Sequence, residues 1–204
     1  MKEFNSSGEL IIQDETITHP GSPVNKSYVD NIIPLDTYKG TGSPEGKITA
    51  PVGSSYTDSA VTNGAIRWVK ASGTGNTGWR VEYGDTGWRE IVPINGWDGA
   101  MFVRRINDTV FYRGKINATN ATSGNAWDIP LGFRIGNIVS TRGHGYEYGR
   151  AFVVTEDAEP QVRNINFYFS RFAVMSYSTA HEYALNVTYS TPNDWPASLP
   201  GTPV

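Results

Sequence analysis

The residues of this chain best placed to do chemistry sit in aromatic, polar loops. "TRGHGYEYGR" (141–150) holds His144, Tyr146, Glu147 and Tyr148 among three glycines. "SGNAWDIP" (123–130) sets Trp127 and Asp128 before a proline, and "PNDWP" (192–196) offers Asn193, Asp194 and Trp195. Sugar rings present apolar C–H faces that stack on Trp and Tyr, and hydroxyls that bond to carboxylates, amides and imidazoles. Trp127, Asp128, His144, Tyr146, Glu147, Tyr148 and Trp195 are therefore the expected saccharide ligands.

Other chemistries fit less well. Glycoside hydrolysis needs two carboxylates flanking the bond. The candidates are Glu147, Glu156, Asp157, Glu159 and Glu182, but "TEDAEP" (155–160) reads as a hairpin turn whose acids face solvent. A depolymerase also builds a long groove, for which the chain is short, so no enzyme is expected. His19, His144 and His181 lie in distant segments. Asp58, Asp85 and Asp98 sit in separate turns without D-x-D clustering, so neither a metal nor a cofactor is expected. Arg104, Arg105 and Arg113 share a hairpin with Phe102, Phe111 and Tyr112. A net charge of -3 and scattered cations still argue against nucleic acid. Absence of Cys removes disulfides, thiolate sites and Cys nucleophiles. No apolar run nears the roughly 18 residues of a membrane span, and "MKEFNSSGELIIQDETITHPG" lacks the apolar core of a signal peptide.

These loops need a scaffold, and the composition favours strands. Gly (22) and Pro (12) are abundant, and Trp and Tyr supply much of the apolar material. Three segments follow. Residues 1–35 are polar except for "VNKSYVDNIIP", where Val24, Tyr28 and Ile32 share one face of a short helix ended by Pro34. Residues 36–96 carry short strands ("KITA", "SSYTD", "AIRWVKA", "WRVEYG") between Gly-rich turns. Residues 97–204 carry longer ones, opening with the hairpin "AMFVRRINDTVFYRGKI" turned at Asn107-Asp108 and closing with "EYALNVTYS". The expected fold class is all-β. Within it, a Gly-Trp pair recurs at Trp79, Trp88 and Trp97, nine residues apart. That is one strand plus one turn, with glycine turning the chain and Trp filling a thin core. Trp79 and Trp88 should lie together and covered, with the sugar-facing aromatics after residue 120.

The stretch "GSPEGKITAPVGSSYTDSAVTNGAIRWVKASGTGNTGWRVEYGDTGW" (42–88) resembles a segment recurring in tail-fibre and baseplate proteins of tailed bacteriophages. "NKSYVDN" (25–31) is similar to a short tail-fibre element, and "FVRRINDTVFYRGKI…IPLGFRIG" resembles their β-rich heads in outline. The resemblance implies a virion tail protein that recognises the host surface. In that picture residues 1–35 attach to other tail or baseplate proteins and 36–96 form a connector. Residues 97–204 form a jelly-roll-like β-sandwich head that binds a bacterial surface saccharide. It implies a homotrimer, which also suits a head of modest aliphatic core by burying aromatic area and removing sheet edges. A purely structural tail or capsid-decoration component is the alternative; a polysaccharide-degrading tail enzyme is the third reading.

Overall fold

A computed structural model of the chain describes residues 3–4, 10–11, 37–136, 147–153, 161–168, 170–174, 177–179 and 181–204. The expected helix in "VNKSYVDNIIP" lies outside the described residues. Among the described residues there are fifteen strands. In chain order they are β1 (Glu3–Phe4), β2 (Leu10–Ile11), β3 (Thr37–Gly40), β4 (Ser55–Asp58) and β5 (Ala65–Lys70). Then come β6 (Trp79–Gly84), β7 (Arg89–Ile91), β8 (Asp98–Ile106), β9 (Thr109–Asn117) and β10 (Asn125–Asp128). The last five are β11 (Glu147–Val153), β12 (Gln161–Tyr168), β13 (Arg171–Val174), β14 (Glu182–Ser190) and β15 (Thr202–Pro203). The fold is all-β, with no helix among the described residues.

The strands assort into a small β1-β2 pair and three larger sheets, in the orders β3-β4-β5-β6, β14-β9-β8-β7-β15 and β10-β13-β12-β11. Among the described residues none closes into a barrel. The second and third share one core. Met101, Val103, Val110, Tyr112, Ile116 and Leu185 from one sheet meet Ala126, Trp127, Phe172 and Val174 from the other. The β8–β9 hairpin turns at Asn107-Asp108, as the sequence suggests, with Ile106 opposite Thr109. Val103 and Arg105 point inward while Phe102 and Arg104 are only half-buried. Period-two patterning fixes this register, because a one-residue slip would expose the whole apolar row.

The first sheet has its own small core of Ala50, Tyr56, Ala65, Trp68 and Trp79. Trp68 and Lys70 in β5 lie opposite Val81 and Trp79 in β6, so all four share the inner face. Lys70 is 0 % exposed. Its ammonium donates to the carbonyls of Gly75 (2.6 Å) and Thr77 and sits 5.8 Å from the centre of the Trp79 ring. A buried cation is tolerated only with its donors satisfied; here the "SGTGNTG" loop wraps the ammonium with carbonyls.

The Gly-Trp series is a turn device. Gly78, Gly87 and Gly96 all have positive φ (92°, 65° and 76°), which glycine adopts without steric penalty. The tryptophans do not gather, contrary to the expectation for Trp79 and Trp88. Trp79 lies in the small core and Trp97 in the large one. Trp88 is half-buried with the Arg113 guanidinium 4.0 Å from its ring centre. The chain passes from one sheet to the next between β6 and β7, so equal spacing along the sequence does not become proximity.

Two arginines join the parts. The Asp85 carboxylate accepts from Arg104 Nε (2.8 Å) and Nη2 and from the Gly87 N–H (2.9 Å). The Arg104 hydrogen bond is the main cause that holds the Asp85 pKa below the usual carboxylate value, and the Gly87 N–H adds to it. Arg105, 2 % exposed, donates to the carbonyls of Asn107 (2.6 Å), Gly132 (2.5 Å), Asp194 (2.9 Å) and Asn193 (3.0 Å). Its guanidinium also lies 5.0 Å from the Trp195 ring centre. Burial pulls its pKa down, and the Asp108 carboxylate at 3.5 Å opposes that pull.

Arg105→Met should destabilise the protein by about 3 kcal/mol in urea unfolding, because four carbonyls lose a buried donor at once. An effect under about 1 kcal/mol would deny Arg105 this role. Asp85→Asn should cost about 1 kcal/mol at pH 7, a modest figure because both partners are about a third exposed. Since the folded pKa is lowered, the contribution exists above the unfolded value near 4 and vanishes as pH falls through the folded value. Unfolding curves of wild type and variant should therefore converge below that range.

Candidate functional site

Among the described residues, Trp127 and Trp195 of the expected ligand set lie in different cores. Trp127 corrects the expectation most clearly: it is 1 % exposed and packs edge-on against Phe172 with ring centres 5.5 Å apart. A register shift in β10 between Asn125 and Trp127 turns Ala126 and Trp127 inward together. The indole is thereby spent on the core and has no face for a sugar. Asp128, next in the strand, is exposed and lies opposite Arg171. Glu147 and Tyr148 open β11, opposite Phe167 and Asn166 of β12. His144 and Tyr146 lie outside the described residues.

Trp195 meets two other tryptophans. It is 8 % exposed and belongs to the small core with Trp68 and Trp79, over a hundred positions away in sequence. The segment 191–197 packs against β5 and β6 through Trp195 as a strap. Between strap and sheet lies a cleft of about 520 Å³. Trp68, Trp79 and Val81 line it from the sheet, and Asn193, Asp194 and Trp195 from the strap; Glu45, Arg80 and Asp108 also border it. A second cavity of about 480 Å³ involves the same strap, with Leu131, Gly132 and Pro196 among its lining.

The strap is held by polar bonds as well as by packing. Trp195 Nε1–H donates to the Asn63 carbonyl (2.9 Å), and Asn63 Nδ2 donates to the Pro196 carbonyl (3.0 Å). The Asn63 side-chain oxygen accepts from the Ala65 N–H (3.2 Å). Glu45 is committed locally: its carboxylate accepts from the backbone N–H groups of Gly78 (3.1 Å) and Trp79 (2.8 Å). Trp79 Nε1–H donates to the Ile48 carbonyl (2.9 Å).

Two of the three cleft indoles are thus satisfied and one is not. Trp68, 4 % exposed, has a buried Nε1–H without a partner. Asp108 and Asp194 are exposed. The cleft therefore combines apolar indole and valine surface with a rim that carries both carboxylates, from Asp108 and Asp194, and the Arg80 guanidinium, with Arg105 also in its lining. That mixed set suits a polar ligand with several hydrogen-bonding groups. Trp79 reads in the sequence as filling a thin core, and Trp68 as one position of the strand "AIRWVKA". Their membership of a cleft depends on a strap from the far end of the chain, which no local spacing reveals. No protein-family model, curated protein or solved structure matches this chain.

Asn63→Ala should cost about 2 kcal/mol, because it strips the acceptor from Ala65 and the donor from Pro196 in a buried setting. Limited proteolysis should then cut within 191–197 in the variant and spare the wild type. Equal resistance would mean that packing alone holds the strap.

Proposed function

We propose that this chain is a host-recognition protein of a bacteriophage tail, binding a bacterial surface saccharide without cleaving it. The observation that carries the reading is the cleft between β5–β6 and the C-terminal strap. Its three tryptophans are largely packed in the small core, and the groups at the rim, Arg80, Asp108, Asn193 and Asp194, are the polar residue types that bond to sugar hydroxyls. The likeness of residues 42–88 to tail-fibre and baseplate segments supports the same reading.

The protein acts as a homotrimer on the virion tail, with a jelly-roll-like head and residues 1–35 as the attachment to neighbouring tail or baseplate proteins. Support for assembly comes from the outer face of the five-stranded sheet. There Trp88, Phe102 and Phe111 are half-buried, and the Arg113 guanidinium lies between Trp88 and Phe102, 4.0 and 5.9 Å from their ring centres. Aromatic residues and arginine are enriched where chains meet. A single sugar site binds weakly, and three on one particle gain by effective concentration.

Light scattering of the purified protein should give three chains per particle, and a monomer at micromolar concentration would overturn the trimer. Fluorescently labelled protein should decorate susceptible bacteria. Asp194→Ala, which changes an exposed rim carboxylate, should reduce decoration several-fold with unfolding unchanged. If no susceptible strain binds the wild type, the purely structural tail role replaces this reading.

A further inference from the structure

The strap stands between two cavities, and the proposed saccharide site uses only one of them. On one side is the cleft of about 520 Å³ against β5 and β6. On the other is the cavity of about 480 Å³ against the turn at Leu131-Gly132. Pro192, Asn193, Asp194, Trp195 and Ala197 line both, so the cavities adjoin along the strap. Each volume is within the range of small-ligand sites. Pro192, Asp194 and Ala197 are exposed, which makes the strap a ridge between two hollows. The ridge is held from inside. Arg105 takes the carbonyls of Asn193 and Asp194 on the strap and of Gly132 beyond it. At Gly132, whose φ is 89°, an added Cβ would come within 2.9 Å of Pro196, so the second wall is packed tightly on the strap. A ligand therefore meets a surface that is already ordered, and little binding free energy goes into arranging it.

The two hollows differ in chemistry. Arg80, Asp108 and Ser43 give the first hydrogen-bonding groups of both charge signs, suited to sugar hydroxyls. Leu131 and Pro196 give the second apolar edges, suited to the C–H face of a ring. Leu131 is 73 % exposed, so a ring seated there removes apolar surface from water. Neighbouring backbones in a sheet lie about 5 Å apart, so a ridge one chain wide is crossed by a single sugar ring. We propose that the second cavity is a further subsite for the same ligand, and that the ligand is an extended glycan chain, not a terminal sugar. One unit sits in the polar cleft, one crosses the ridge beside the Asp194 carboxylate, and one lies with its C–H face on Leu131. This rests on the saccharide-binding reading above and adds to it the length of ligand that the site selects.

The test is a calorimetric titration of the intact protein. The probe is surface polysaccharide from a strain that the labelled protein decorates, cut by mild acid and sized into monosaccharide, disaccharide and longer oligosaccharide fractions. The longer fractions should bind at least about tenfold more tightly than the two short ones, because the second contact is made within one complex. Leu131→Asp, which changes an exposed side chain of the second cavity alone, should bring that ratio close to one. Ser198→Trp, which fills the same cavity from another exposed position, should act alike. Equal affinity for all fractions in the wild type would overturn the second subsite and leave the saccharide reading standing. A gain with length that survives both variants would come from one glycan bridging protomers, and would overturn the subsite as well. Decoration of cells without binding of any fraction would remove the saccharide reading and the subsite together, as would failure to decorate any susceptible strain.

Discussion

The guanidinium of Arg105 is the constraint on which the arrangement depends. It rises from the inner face of β8, where an apolar side chain would be expected, and collects carbonyls from three stretches of chain: its own turn at Asn107, the turn at Gly132, and the strap at Asn193 and Asp194. Arginine suits this task because its planar fork presents several donors at fixed angles and stays charged when buried. The geometry places the strap so that Trp195 enters the small core. Trp195 in turn brings Asn63 into register with Pro196. Without that side chain, the β3–β6 sheet would have only five small-core residues of its own, and the cleft would have no second wall.

Lys70 repeats the same solution on a smaller scale. Both cations are buried inside the β-structure, both are met by backbone carbonyls, and both lie near a tryptophan ring. A chain without cysteine and with little aliphatic material thus orders its loops by placing cationic donors where loop carbonyls converge. Loop carbonyls left over from sheet pairing need donors, and a long cationic side chain reaches them from inside. The cost is desolvation of the charge, and dense carbonyl coordination offsets it.

Much of the scaffold was legible in the sequence. The β8–β9 hairpin and its Asn107-Asp108 turn, the alternation that puts Val103 and Arg105 on one face, and β14 over "EYALNVTYS" follow from period-two patterning and turn residues, which are local signals; the burial of Arg105 on that face does not. The three Gly-Trp turns were legible for the same reason. What local signals could not give was the partner of each tryptophan. Trp127 stands in a loop-like context of Ser, Gly and Asn before a proline, yet a bulge in β10 turns it into the large core. Trp195 stands in a similar context and becomes a wall of the cleft. Their fates differ through contacts with residues a long way off in sequence, and nothing within "SGNAWDIP" or "PNDWP" encodes them. The unmatched Trp68 donor was invisible for a related reason. Whether an indole N–H finds a carbonyl depends on where neighbouring loops run, as Ile48 does for Trp79 and Asn63 for Trp195.

The strap has a consequence for the order in which the polypeptide can mature. Asn63 is bonded to residues more than 130 positions further on, so the small sheet emerges from the ribosome long before the tryptophan that finishes its core. Until then its inner face, with Trp68 and Trp79, is open on one side. Pairing at such sequence separation pays its loop-closure entropy late and slows the final step. The small sheet must therefore persist half-built through synthesis of everything between. Its Gly-rich turns and the carbonyl-wrapped Lys70 are the local features available to keep it in shape during that interval.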